Sequence, residues 1–249
     1  MTPSQAERLA RAIAPKDLGC LPLYLVFASQ NLPAELLPQG AAGYAGRRLD
    51  LALRPWLGKR WEGRGLALVV NDMAIRAEEG LTPDLADQRI MATVCHELAH
   101  CLSRPPDLTE ATPEAVATQA DYLAAWSATT REATPTAPWL GHCGQWLRLL
   151  LHVAWRAERS GYSVPLSLAV GWRTLGLTSP WRYRTELAGE PEALASLSFA
   201  DIRAIQPPQG FADCWRNDVD RWFSTVENPS IESVVCFANA LRAFGGDEE

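Results

Sequence analysis

Histidine is scarce in this chain: there are four in 249 residues, at His96, His100, His142 and His152. Any imidazole chemistry must use these positions. Cysteine is also sparse, at Cys20, Cys95, Cys101, Cys143, Cys214 and Cys236, and no two form a Cys-x-x-Cys pair, which argues against a zinc ribbon. No uninterrupted apolar run reaches the roughly 20 residues that a membrane-spanning helix needs. The opening residues, Met1 to Leu9, lack the basic stretch and apolar core of a secretory signal. These absences predict a cytoplasmic protein with reduced thiols and no membrane partner. Basic residues number 23 against 29 acidic, for a formal charge of -6. That balance argues against nucleic acid as an obligatory partner, though it leaves a local basic patch open. Internal repeats and low-complexity segments are absent.

What is present centres on Val94-Cys95-His96-Glu97-Leu98-Ala99-His100-Cys101-Leu102, which contains His-Glu-x-x-His. Residues four apart on a helix lie one above the other, so His96 and His100 can offer two nitrogens to one metal ion. Glu97 sits about 100° further round and can reach a water on that metal. Zinc suits such a site, with neutral nitrogens, an open position and a carboxylate to take a proton from the water. The context supports a helix. Ala86 to Leu102 has neither Pro nor Gly, and Ile90, Val94, Leu98 and Leu102 recur every four residues as a buried stripe. The histidines face away from that stripe. Cys95, Cys101 and Cys143 adjoin candidate ligands, and the favoured reading is that they are small buried apolar residues.

Taken in order, Thr2 caps a first helix with Pro3 in its first turn and Gln5 completing a capping box; it ends near Ile13, before Pro15. Leu21 to Ala28 reads as a buried strand. Gln39 to Arg48 is a Gly/Ala-rich loop, and Leu49 to Leu53 a short strand with Asp50 on its outer face. Glu62 to Gly65 forms a turn, and Leu66 to Val70 a third strand ended by Asn71-Asp72. Strands followed by the His-Glu helix predict an α+β class, with a small mixed sheet packed on that helix. The helix stops near Ser103, ahead of Pro105-Pro106. Further helices are expected from Pro113 to about Thr130, from His142 to Ser160 with Gly161 as C-cap, in a short piece after Ser198, from Phe211 to Val226, and from Asn228-Pro229 to Phe244. A short helix is also expected within Ser163 to Leu175, and a Pro-rich connector over 133–139. The ten Trp read as core or interface anchors. Those at Trp172, Trp181, Trp215 and Trp222 suggest that a mostly helical extension, 161–249, docks on a first domain, 1–160.

Two histidines hold catalytic zinc poorly, so a third ligand is expected. The candidates are His142, His152, Glu110, Glu114 and Asp121. His142 is preferred, because it starts a helix behind a loop that can carry it to the first pair. His152 lies mid-helix among apolar neighbours, where a packed core residue is the commoner case.

With these residues in place, the chain resembles the SprT-like metallopeptidases, which are zincins. The resemblance rests on Val94 to Leu102 and on His142-Cys143-Gly144-Gln145-Trp146 followed by an apolar helix, and covers about Leu21 to Ser160. It implies a zincin-like sheet on the His-Glu helix, zinc on His96, His100 and His142, and Glu97 as general base. The stretch from His100 to His142 is longer than in typical members, and the cysteine cluster that often follows is absent. A second resemblance is to the ImmA/IrrE-type regulatory proteases, through Ala120-Asp121-Tyr122-Leu123-Ala124 after the His-Glu helix. There the family's acidic ligand would fall near Ala117, which cannot bind metal.

The expected activity is zinc-dependent hydrolysis of peptide bonds in a protein or peptide substrate by a metal-activated water. A donor for the oxyanion is also needed, and Tyr122, Tyr162, Tyr183 and nearby Arg are candidates. The rival from another class is a non-catalytic zinc-binding structural or regulatory module, which a fourth protein ligand such as Cys143 would signal. A hydrolase acting on a non-peptide bond is the third reading.

Overall fold

The structure is a computed structural model that describes residues 1–19, 21–37, 41–46, 48–103, 142–170 and 179–225, excepting the side chains of 35, 222, 223 and 225. The helices expected over 113–130 and 229–244 and the connector over 133–139 lie outside the described residues. Helix α1 (Pro3–Ile13) begins as its sequence predicts. Thr2 Oγ1 accepts from the Gln5 N–H at 3.3 Å, and Gln5 Oε1 accepts from the Thr2 N–H at 2.7 Å. A single turn, α2 (Pro15–Leu18), leads to strand β1 (Leu23–Phe27).

Strand β2 (Gly43–Ala45), helix α3 (Leu49–Leu57) and strand β3 (Leu66–Val70) follow. The sheet order is β1-β3-β2. β1 runs parallel to β3, from Leu23 opposite Leu66 to Phe27 opposite Val70. β2 is antiparallel to β3, with Gly43 opposite Val70 and Ala45 opposite Leu68. Both long strands are buried at every position, which explains why they read as unbroken apolar runs rather than alternating ones.

Two expectations fail in this region. Leu49 to Leu53 is helix, not strand. Leu-Asp-Leu-Ala-Leu alternates over five residues, but the window out to Leu57 brings Leu49, Leu53 and Leu57 onto one helical face, and that face covers the outer side of the sheet against Tyr24, Val26 and Val69. Asp50 is not on an outer face: it is buried and accepts from Arg64 Nε at 2.7 Å and from the Gly65 N–H at 3.1 Å. Gly43–Ala45 is a strand within the expected loop. Its glycine marks a close approach rather than a turn, because a Cβ at Gly43 would stand 2.7 Å from Thr93 Cγ2, 2.8 Å from the Val69 carbonyl oxygen and 3.2 Å from Glu97 Cγ.

A short α4 (Asp72–Arg76), capped by Asn71, leads to the long helix α5 (Pro83–Ser103), which carries the His-Glu motif. After the undescribed stretch come α6 (Gly144–Arg159), α7 (Leu166–Val170), α8 (Pro180–Glu186), α9 (Glu190–Ala193), α10 (Phe199–Ala204) and α11 (Gln209–Thr225). Gly161 takes φ +84 just past α6, and Ser198 caps α10, as their residue types predict. The class is α+β, with a three-stranded sheet in a mostly helical chain. One buried cluster joins α1, the inner face of the sheet (Leu23, Leu25, Phe27, Leu66, Leu68, Val70), α5, α6 and α7 to Tyr183, Phe199, Phe211 and Trp215 in later helices. Of the tryptophans expected to dock the later region, Trp215 is in that core, Trp181 is exposed, and Trp172 and the Trp222 side chain are outside the described set. Among the described residues no helix is long and apolar enough to cross a membrane.

Gly43→Ala forces a methyl group into the contact between β2 and α5. The expected cost is about 1–3 kcal/mol of overpacking, read as a lowered urea midpoint at unchanged m-value. An unchanged midpoint would show that strand and helix do not meet this closely.

Candidate metal centre

Helix α5 is built on the stripe its sequence predicts. Ile90, Val94, Leu98 and Leu102 are buried in the main core, while Thr93 and Glu97 face Gly43 on β2. His96 and His100 are half-buried on the remaining side, one turn apart. There they meet His142, two residues before α6. The three Nε2 atoms form a near-equilateral triangle: His96 to His142 is 3.0 Å, His100 to His142 is 3.1 Å, and His96 to His100 is 3.2 Å.

That triangle tests whether the residues fit a metal. Two nitrogens about 2.05 Å from one zinc ion, at a tetrahedral angle, stand roughly 3.3 Å apart. The observed separations are close to this. A neutral imidazole has one ring N–H, so three such nitrogens cannot all satisfy one another by hydrogen bonds. A shared cation satisfies all three at once. Among the described residues the cluster able to hold a metal ion is these three histidines, which offer three of a tetrahedral ion's four ligands.

The surroundings hold the rings in place. His96 Nδ1 donates to the Ala169 carbonyl oxygen at 2.7 Å. Trp146, one turn beyond His142 and fully buried, has its ring centroid 4.8, 5.2 and 4.5 Å from those of His96, His100 and His142. Burial lowers the pKa of His96, against the opposing pull of the Ala169 hydrogen bond, and so favours the neutral, ligating form. Burial pushes the Glu97 carboxyl up to about 8. A carboxyl so raised takes up and holds a proton far more readily than an exposed one.

Of the sequence-derived candidates, the structure brings His96, His100 and His142 together and leaves His152 apart. His152 is fully buried on α6, with Nε2 2.8 Å from Glu190 Oε1, which also accepts from Arg148 Nε at 2.8 Å. Glu110, Glu114, Asp121 and Tyr122 lie outside the described residues. Tyr183 faces the core and donates to Asp218 Oδ2 at 2.8 Å, so it is withdrawn as an oxyanion donor. Cys95 and Cys101 are buried, and burial pushes the Cys95 thiol up to about 12. Cys143 is partly exposed and stands outside the nitrogen cluster. Sequence reading missed the Ala169 carbonyl and the Gly43 contact. A backbone oxygen leaves no residue signature, and Gly43 is one of three glycines, with Gly40 and Gly46, in a stretch that reads as a loop. No protein-family profile, curated protein or solved structure matches the chain.

His142→Ala should weaken zinc binding by more than about a hundred-fold, beyond the 10–100-fold typical of losing a partner of a metal-bound histidine. His152→Gln, whose amide can still donate to Glu190, should cost at most about a few-fold; a competition titration against a chelating dye separates the two.

His152 also sets a pH dependence. Burial lowers its pKa below the ordinary 6.5; the Glu190 carboxylate opposes this, while Arg148 and Arg156 add to it. Its contribution to stability is present above about pH 6.5 and is lost as pH falls through the depressed folded value. Glu190, also lowered, adds a loss of the same sign below its ordinary 4.5. Denaturation between pH 6.5 and 5 should show wild type losing stability more steeply than His152→Gln. Parallel slopes would place His152 in water.

Proposed function

We propose that this protein is a zinc-dependent metallopeptidase of zincin type, similar to the SprT-like family, acting in the cytoplasm on protein or peptide substrates. The observation that carries the reading is the meeting of three imidazole Nε2 atoms within 3.2 Å, one residue along the helix from a buried carboxyl. An all-nitrogen donor set with one open position suits zinc. Zinc, when bound, lowers the pKa of water and polarises a carbonyl oxygen.

The chain's own residues supply the rest. Glu97, in its ionised form, accepts a proton from a water entering the site and hands it to the departing amine. Trp146 packs against all three imidazoles. β2 is the edge strand nearest Glu97, and its outer edge pairs with no strand among the described residues. An extended peptide can align there by main-chain hydrogen bonds, which places its backbone beside the metal site. This strand edge favours a peptide over other hydrolysable substrates. The ligand set of three among the described residues, with Cys143 outside it, favours an open catalytic site over a closed structural one.

Glu97→Gln should retain one zinc per chain and lower hydrolysis of an unfolded protein substrate by about 10²–10⁴-fold, the usual range for a general base. Undiminished hydrolysis by that variant would exclude Glu97 as the base. Wild type that is fully zinc-loaded yet inert toward peptides would remove the peptidase reading.

A further inference from the structure

The metal cluster draws on a part of the chain 73 positions away from its first ligand. α7 packs on both α5 and α6, with Leu166, Ala169 and Val170 buried. The element runs over Leu166–Val170 and carries the Ala169 carbonyl oxygen. That oxygen points at His96 Nδ1, 2.7 Å away. We infer that α7 is a positioning element for the metal: through the Ala169 carbonyl it locks His96 as the Nδ1–H tautomer and leaves Nε2 bare for a cation.

The chemistry allows one arrangement. A neutral imidazole carries its single N–H on one ring nitrogen or the other. With the proton on Nε2, the Nδ1 lone pair would face the carbonyl oxygen at 2.7 Å in a buried place, two acceptors with no hydrogen between them. With the proton on Nδ1 the contact is a hydrogen bond, and Nε2 offers only a lone pair toward His100 and His142. The inference rests on the reading of the three histidines as a metal centre. It adds that a segment outside the His-Glu-x-x-His motif prepares the site before any metal arrives. By thermodynamic reciprocity, metal held on His96 must also strengthen the docking of α7.

The test starts with the apo protein labelled with ¹⁵N in its imidazoles. Four histidines give a spectrum simple enough to assign with single His→Gln variants. His96 should appear as the Nδ1–H form; a Nε2–H form overturns the inference. Zinc affinity is then measured for Val170→Ala, which loosens α7, and for Leu53→Ala, which opens a comparable hole on the far side of the sheet. Val170→Ala should bind zinc about tenfold or more weakly, and Leu53→Ala should match wild type. Equal affinities for the two variants would overturn the inference. In wild type, zinc should slow amide hydrogen exchange across 166–170. The two readings fail differently. Protein that refuses zinc while His96 is Nδ1–H removes the metal centre, whereas protein that takes zinc with His96 as Nε2–H removes the role of α7.

Discussion

Three imidazole nitrogens stand within 3.2 Å of one another, too many to satisfy one another by hydrogen bonds alone, so packing must hold them there. Each ring is restrained differently. His96 and His100 share one helix, whose pitch sets their separation. His142 comes from another element and reaches them because α5 and α6 pack together. Trp146, a turn beyond His142, touches all three rings and couples their positions. Holding ligands in the bound geometry in advance removes the ordering cost from the binding step. The aromatic packing around the cluster orders the three rings ahead of any ion that they could hold.

A second constraint acts from the sheet side. The motif helix lies so close to β2 that only hydrogen fits on Gly43, and Glu97 shares that contact with Thr93. The carboxyl is therefore clamped between a strand and its own helix, out of water, and its proton affinity rises. The same closeness puts β2, an edge strand of the sheet among the described residues, beside Glu97. One glycine thus links the packing of the fold, the basicity of Glu97 and the route by which an extended chain could enter.

The parts legible in the sequence were those written in side chains with a period. The four-residue stripe on α5, the capping box at Thr2, the short helix after Ser198, the apolar runs of β1 and β3 and the glycine after α6 all appear in the fold. The choice of His142 over His152 also followed from local context: a helix start behind a loop can swing toward a partner, and a mid-helix histidine cannot. α3 was misread because five alternating residues fit either period, and only Leu57 breaks the tie. β2 was misread because small residues mark both loops and tight approaches. The short helices α8 and α9 carry no periodic signal. The Ala169 carbonyl could not be seen at all, since every residue has one.

Helix α6 shows how the later part of the chain bears on the site. Arg148, His152 and Arg156 stand four apart on it, so they share one face. Arg148 lies about 200° around the helix from Trp146. That opposite face is fastened to backbone ends of distant segments. Arg148 Nη1 donates to the Ile205 carbonyl at 2.6 Å, and Arg156 donates to the carbonyls of Leu197 at 2.8 Å and Ile13 at 3.0 Å. Glu190 bridges Arg148 and His152. Buried guanidinium groups are costly without partners, so these bonds restrict the rotation of the helix. Fixing the rotation of α6 from behind fixes Trp146 in front and, one turn earlier, the approach of His142. The C-terminal helices therefore contribute to the nitrogen triangle without supplying a ligand to it.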